Sequence, residues 1–391
     1  MTGPAHPRVL VLHNRYRVVG GEERSVELQL RAMADAGIAH RLLERRSEQA
    51  GRARAAAALL RGGERPDEVS AAVRELGADL VHAHNMLPLV GPRGLAAARA
   101  AGARVVLHLH NVRLFCSTGF GERDGGPCYR CHHRLTVPGL VLNCRRSMPE
   151  ALTYAAALSL HQPAVVAAVD RFVTPSRWAA GQVVKLGLPA DRVEALGHYL
   201  PGDWFAERSR AAEGEYALVA SRLSPEKGLD DAIAAAAASG VPLRIAGAGP
   251  QRARLEQLAA GADVRFLGRL APDDVRSQLE GAAMVLMPSH YHEFSPYAAL
   301  EAMAQGVPVV ASAMGGLPEL LGAERCVARG EGSALADRIR ALWDDPALRS
   351  HDGDALIARA RERHSQARYL HDLTALYSSV LGHRADEALP A

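Results

Sequence analysis

The chain predicts an α/β fold of two doubly wound, Rossmann-like domains. Three observations carry that expectation: its length, short β-branched runs alternating with helical segments, and a mid-chain break after which the alternation restarts. At 391 residues the chain is long for one domain and natural for two of roughly 150 residues. Hydrophobic residues at 48% and charged residues at 23% supply two cores and exclude whole-chain disorder.

Arg8–His13 is a short apolar, β-branched run that leads through Gly20 and Gly21 into Glu22–Ala36. There Val26, Leu28, Leu30 and Met33 give helical spacing, so the segment reads as strand, glycine loop, helix. Strands follow at Asp79–His84, Arg104–Leu109 and Arg171–Thr174, with a helix from Ser176. Strict β/α alternation implies a parallel sheet covered on both faces. Turn-forming residues around Gly197–Gly202 mark the boundary. Strands resume at Tyr216–Ala220, Leu243–Ala246, Val264–Leu267, Met284–Met287 and Val307–Ala311. The expected domains are residues 1–198 and 199–371, followed by a terminal helical segment, 372–391, that packs back on the first domain and frays from Arg384. Ligands of such sheets sit beyond the carboxyl ends of the strands, so two of them facing each other make one cleft.

Charge is unevenly divided. Residues 1–180 hold 24 Arg and no Lys against 15 acids, a balance of +9, and the whole chain carries +3, so the remainder sums to −6. An electropositive first half suits a membrane surface or a phosphate-bearing substrate, and scattered solvated arginines are the plainer account. No basic run interleaved with aromatics points to nucleic acid. No apolar stretch reaches membrane-spanning length and the start lacks a signal peptide, so a cytoplasmic protein is expected, with peripheral contact at the inner membrane face. Because arginine outnumbers lysine 44 to 2, Lys185 and Lys227 stand out.

Two segments carry chemistry. In Glu293–Glu301 (EFSPYAALE), Ser295 is placed to cap a helix and Pro296 to occupy its first position. Glu301 then falls about two turns into that helix, with Glu293 in the loop before it. A helix start offers free N–H groups to phosphate, and flanking carboxylates accept hydrogen bonds from sugar hydroxyls. In Ser221–Gly228 (SRLSPEKG), Arg222 and Lys227 project from a strand-to-helix loop and could neutralise a diphosphate.

With these segments the chain resembles the retaining glycosyltransferases of the GT-B fold, family 4 (group 1), over nearly its whole length. The resemblance rests on Gly20 and Gly21, LHLHN at Leu107–Asn111, Arg222 with Lys227, LRIAGAGP at Leu243–Pro250, FLGRL at Phe266–Leu270, Glu293 with Glu301, and VPVVASAMGGLPE at Val307–Glu319. It implies a nucleotide diphosphate sugar as donor, held mainly by the second domain. Arg222 and Lys227 would sit on the diphosphate, Glu301 on the ribose and Glu293 on the sugar ring. Phe294 and Ser295 belong to the same donor site. Gly20 and Gly21 would bring first-domain N–H groups to the phosphates, and His110 matches the family's histidine near the donor sugar. By the same resemblance Glu293, His110, Arg222 and Lys227 are the catalytic set. Charge on the departing diphosphate is stabilised electrostatically, without a side-chain nucleophile and without a catalytic cofactor. The acceptor is a hydroxyl of a glycan, a lipid-linked glycan or a small molecule, in envelope polysaccharide, glycolipid or secondary-metabolite assembly.

Two departures qualify the match. Phe294, Ser295 and Pro296 stand where the family commonly has glycines, and Pro296 has no N–H to give. An insertion, 115–144, holds Cys116, Cys128, Cys131 and Cys144, with His132 and His133 beside the CxxC pair. Four thiolates suit a structural zinc; disulfides and free thiols are the alternatives. Cys326 reads as packing. Gly247, Gly249 and Arg252 imitate a dinucleotide fingerprint without its third glycine, and Asp352 with Asp354 reads as a polar turn. A catalytically silent sugar-nucleotide-binding protein is the competing function. A glycoside hydrolase using Glu293 and Glu301 fails on placement, since both lie at one helix end beside cations.

Overall fold

The computed structural model describes residues 6–16 and 20–382. The chain divides into two compact units. The first is made of residues up to Gly121, Cys128–Gly197 and the chain from Ala367 onward; the second is Glu122–Pro127 with His198–Gln366.

In the first unit the strands are β1 (Val9–Arg15), β2 (His40–Arg46), β3 (Leu80–Ala83) and β4 (Arg104–His108). A two-stranded hairpin, β5 (Glu122–Arg123) and β6 (Gly126–Pro127), belongs to the second unit. The first sheet is completed by β7 (Arg171–Thr174) and β8 (Val193–Ala195). Its order is β2-β1-β3-β4-β7-β8, and all neighbours are parallel. Val9, Leu10, Val11 and Leu12 are wholly buried, as a central strand covered on both faces requires. The chain leaves β1 toward β2 on one side and returns to β3 on the other, so the switch point lies between β1 and β3.

The second unit repeats the principle with β9 (Tyr216–Ala220), β10 (Leu243–Ala246), β11 (Val264–Gly268), β12 (Ala282–Met287), β13 (Val309–Ser312) and β14 (Cys326–Val327). The order β11-β10-β9-β12-β13-β14 is parallel throughout and puts its switch point between β9 and β12. Its core joins strand residues such as Val219, Ile245 and Leu286 to Leu229, Ile233 and Ala236 of the helix Leu229–Ser239.

Several expectations shift. The boundary placed after residue 198 falls one residue earlier, and His198 belongs to the second unit. The segment expected from residue 372 starts sooner, because the helix Pro346–His364 ends at extended Ser365 and a new helix, Gln366–Leu381, begins at once. Tyr377 in that helix is buried, its hydroxyl 2.8 Å from His82 Nδ1 and 3.1 Å from Gln29 Nε2, inside the first unit. The insertion 115–144 is split, since its hairpin Glu122–Pro127 counts with the second unit. Strand β2 has no expectation behind it; it is an edge strand of sequence HRLLERR, whose charges hide the pattern. Asp352 and Asp354 lie inside the helix Pro346–His364, not in a turn: Asp352 pairs with Arg325 at 2.7 Å and Asp354 accepts from Ser209 N–H. The expected fraying from Arg384 lies outside the described residues.

Candidate functional site

The loops that follow β9 and β12 meet at the second unit's switch point. Gly228 makes the meeting possible. Its φ is +65°, and a Cβ there would stand 1.9 Å from the Pro288 carbonyl oxygen, so any side chain would push the loops apart. Lys227, at the end of the short turn Pro225–Lys227, is thereby set beside the loop that carries Glu293.

Glu293 is itself pinned from the other side. Its carbonyl accepts from Gly316 N–H at 2.7 Å, and a Cβ on Gly315 (φ +68°) would lie 2.2 Å from that carbonyl oxygen. The carboxylate is buried and accepts three hydrogen bonds. Lys227 Nζ donates to Oε1 at 2.7 Å, Ser289 Oγ to Oε1 at 2.8 Å and Tyr291 OH to Oε2 at 2.7 Å. Lys227 Nζ also donates to Tyr291 OH at 3.1 Å, closing a ring of three residues. Burial works against the charge on Glu293, but Lys227 and the hydroxyls outweigh it and hold the carboxyl below its ordinary range. Burial likewise opposes the Lys227 charge and is overcome by Glu293, so the ammonium is held above its ordinary range. The ammonium is largely buried, directed at Glu293 and Tyr291.

Arg222 behaves differently. Its side chain is 48% exposed and reaches Glu226 at 3.1 Å, whose Oε1 also accepts from Ser224 Oγ. Glu301 is half-buried within the helix Tyr297–Ala304. The expected cap is corrected: Pro296 is the N-cap residue and no side chain caps this helix. Ser295 instead offers its carbonyl to the His198 ring at 3.0 Å, and that ring stacks on Tyr297 at 4.4 Å. Phe294 is half-buried beside it.

The first unit holds the remaining expected residues. Gly20 and Gly21 are exposed at the start of the helix Gly21–Asp35. The dihedral argument for Gly20 does not hold: its φ is −148°, and a Cβ would meet nothing nearer than Glu23 Oε2 at 3.8 Å. The Glu23 carboxylate takes the Gly20 N–H at 2.7 Å. His110 is half-buried at the end of a stack of imidazoles, His82, His84, His108 and His110, with centroids 4.3–5.6 Å apart. His84 Nδ1 and His110 Nε2 share a hydrogen bond of 2.9 Å. Ring nitrogens of His82, His84 and His108 lie within 4.8 Å of one another, but near-parallel planes aim lone pairs side by side and do not converge them on one ion.

Glu22 sits at this switch point too, buried, with His13 4.0 Å away. Burial, reinforced by Glu23, pushes its carboxyl up to about 8 despite Arg113, Tyr16 and the Asn85 N–H. Burial also lowers His13 to about 4 and His82 to about 3. Cys116, Cys128, Cys131 and Cys144 are each partly buried. Their sulfurs do not form a set of three within 4.8 Å of one another. Burial raises the Cys131 thiol to about 11, with Cys116, Cys144 and Cys128 contributing as neighbours.

Sequence reasoning missed Ser289 and Tyr291, the partners of Glu293, because loop residues two and four positions away carry no periodic signal. It also missed Glu22 and the imidazole stack. The repeats HAH at His82–His84 and HLH at His108–His110 could have revealed the stack, since alternate residues of a strand share one face.

Comparison with known proteins agrees with this architecture. The family model for Glycosyltransferase Family 4 matches residues 19–197 and that for Glycosyl transferases group 1 matches residues 203–363. A D-inositol 3-phosphate glycosyltransferase from Acidothermus cellulolyticus is 31% identical over 276 residues, 63% of this chain and 55% of that protein. A glycogen synthase from Mycobacterium tuberculosis is 37% identical over 155 residues, 36% of this chain and 37% of its own. The chain thus spans between about a third and about half of the length of these curated relatives. Among solved structures, Anabaena HepE in complex with UDP superposes with a TM-score of 0.65 at 17% identity, covering 95% of this chain and 100% of that one. Both halves of the sequence and both sheets agree, and the chain belongs to the group 1 glycosyltransferases, with the two-sheet GT-B fold.

Proposed function

We propose that the chain transfers a sugar from a nucleotide diphosphate donor to a hydroxyl acceptor, with retention at the anomeric carbon. The observation that carries this reading is the buried Lys227–Glu293 pair at the switch point between β9 and β12, the place where open α/β sheets take nucleotides. The donor's diphosphate would draw on Lys227 and on half-exposed Arg222, and Glu301 would accept from ribose hydroxyls. As the nucleoside diphosphate leaves, negative charge grows on its bridging oxygen, and fixed cations in a water-poor site lower that barrier. Glu293, held ionised by three donors, fits a positioning role: Lys227, Ser289 and Tyr291 fix its orientation.

UDP is the natural first nucleotide, because the structural neighbour HepE was solved with it. The test is a panel of UDP- and GDP-sugars, read by thermal shift and by release of nucleoside diphosphate on addition of hydroxyl acceptors. A donor at about 100 times its Kd adds about 2.7 kcal/mol, a shift of several degrees. Release of diphosphate that depends on acceptor supports transfer. Binding without release supports the silent-binder alternative, and no shift with any nucleotide sugar overturns the reading.

The four cysteines are proposed as a structural zinc site that closes on metal binding, supported by their sharing one partly buried insertion with a CxxC pair, in which Cys116, Cys144 and Cys128 each act electrostatically on the Cys131 thiol. Metal analysis of protein purified under reducing conditions checks it; less than one zinc per several chains would exclude it.

A further inference from the structure

The helix Met148–Ala168 in the first unit is apolar on its outer side as well as its inner one. Ala151, Ala155, Leu158 and Val165 are buried. On the opposite side Met148, Leu152 and Leu160 are 52%, 57% and 61% exposed, with exposed Ala156 between the last two. Positions 148, 152, 156 and 160 recur every four residues and so lie on one face. The preceding short helix Val137–Val141 adds Val137 at 55% and Val141 at 75% exposure. Leu60, 44% exposed, adjoins the far end, because its carbonyl accepts from the His161 ring at 2.8 Å. A surface helix ordinarily turns charges outward, and a contiguous apolar strip of this kind marks an interaction surface.

The charges around the strip identify the partner. Residues 128–169 contain Arg130, Arg134, Arg145 and Arg146 against a single acid, Glu150, which Arg145 already pairs at 2.9 Å. Arg134 lies beside the strip, its Nε donating to the Ser159 carbonyl at 3.0 Å, and Arg146 is exposed at the helix entrance. A second copy placed on this face by two-fold symmetry would bring arginines against arginines. Exposed apolar side chains flanked by arginines are the pattern of a helix that lies on an anionic bilayer surface.

We infer that the outer face of Val137–Val141 and Met148–Ala168 docks the chain on an anionic lipid bilayer, with Met148, Leu152 and Leu160 entering the headgroup boundary and Arg134 and Arg146 against lipid phosphates. This goes beyond the sugar-transfer reading and does not depend on it. The experiment is co-sedimentation of the full chain with phosphatidylcholine vesicles that are roughly one third phosphatidylglycerol, and with pure phosphatidylcholine. Binding is expected to the anionic vesicles only. The pair Leu152→Glu and Leu160→Glu should weaken it by at least about tenfold, and Arg134→Glu or Arg146→Glu by about fivefold each at low salt. Circular dichroism checks that the variants fold. Leu152→Trp gives a second readout: brominated lipid should quench its emission. An unbound wild-type chain, unchanged binding by the glutamate pair, or unquenched emission would each overturn the proposal. A lipid-free dimer dissolved by the same substitutions would overturn it in favour of a copy-to-copy interface.

Discussion

Glu22 and Glu293 are the same side chain, each buried at the switch point of a doubly wound sheet, and they are driven in opposite directions. Glu22 has a neutral His13 and a second carboxyl, Glu23, as neighbours, and burial lifts it to about 8 against the weaker pull of Arg113, with which it forms no ion pair as close as that of Glu293 with Lys227. Glu293 has Lys227 at 2.7 Å with two hydroxyls, and these hold it ionised. Burial sets the cost of a charge, and the partner decides whether that charge survives. At neutral pH the first unit's carboxyl is thus predominantly neutral, while the second unit's is an anion locked to a cation.

The largest effect should come from removing that cation. Lys227→Ala strands Glu293 as a buried, uncompensated charge and should cost about 3–5 kcal/mol in urea unfolding, with transfer falling at least about a hundredfold. Adding Glu293→Gln should restore much of the stability but none of the transfer, which separates the two roles. A single Lys227→Ala variant as stable as wild type would break the contrast with Glu22.

Next in size is the pH dependence of Glu22. Between about 4.5 and 8 the folded chain keeps the Glu22 proton that the unfolded chain releases, so this group's contribution falls as pH rises through that window. Glu22→Gln should therefore match wild type near pH 5 and exceed it by a few kcal/mol near pH 9. Buried His13, His82 and His198, lowered to about 4, 3 and 3, act with the opposite sign. The unfolded chain takes up their protons below about 6.5, so stability drops on acidification toward pH 4. Urea midpoints from pH 4 to 9 check both signs; a Glu22→Gln variant with the wild-type profile above pH 6 would show that Glu22 is ionised after all.

The smallest effect sharpens the network itself. Tyr291→Phe removes the hydroxyl between Lys227 and Glu293 and should cost about 1 kcal/mol while leaving the direct ion pair in place. A loss as large as that of Lys227→Ala would mean that the hydroxyl, not the ammonium, keeps Glu293 charged.

Much of this was legible in the chain. Val9–Leu12, Ala217–Val219 and Met284–Leu286 announce themselves as buried strands because parallel sheets leave no polar face. Lys227 stood out against 44 arginines, and Glu293 by its place before a helix. Strand β2 stayed hidden because an edge strand carries charge, and Ser289 and Tyr291 because loop contacts have no period. The exposed strip at Met148–Leu160 was equally silent: an apolar helix reads alike whether one face or both are covered.

The linear chain by itself determined the alternation, the two-sheet architecture and the residue types available for holding phosphate and sugar, because those depend on local spacing and composition. Only the folded chain decided that Lys227 pairs with Glu293, that Glu22 keeps its proton and that one helix is left bare. Each of those follows from which groups share a small volume with little water, and distance in space, unlike periodicity, is not written along the chain.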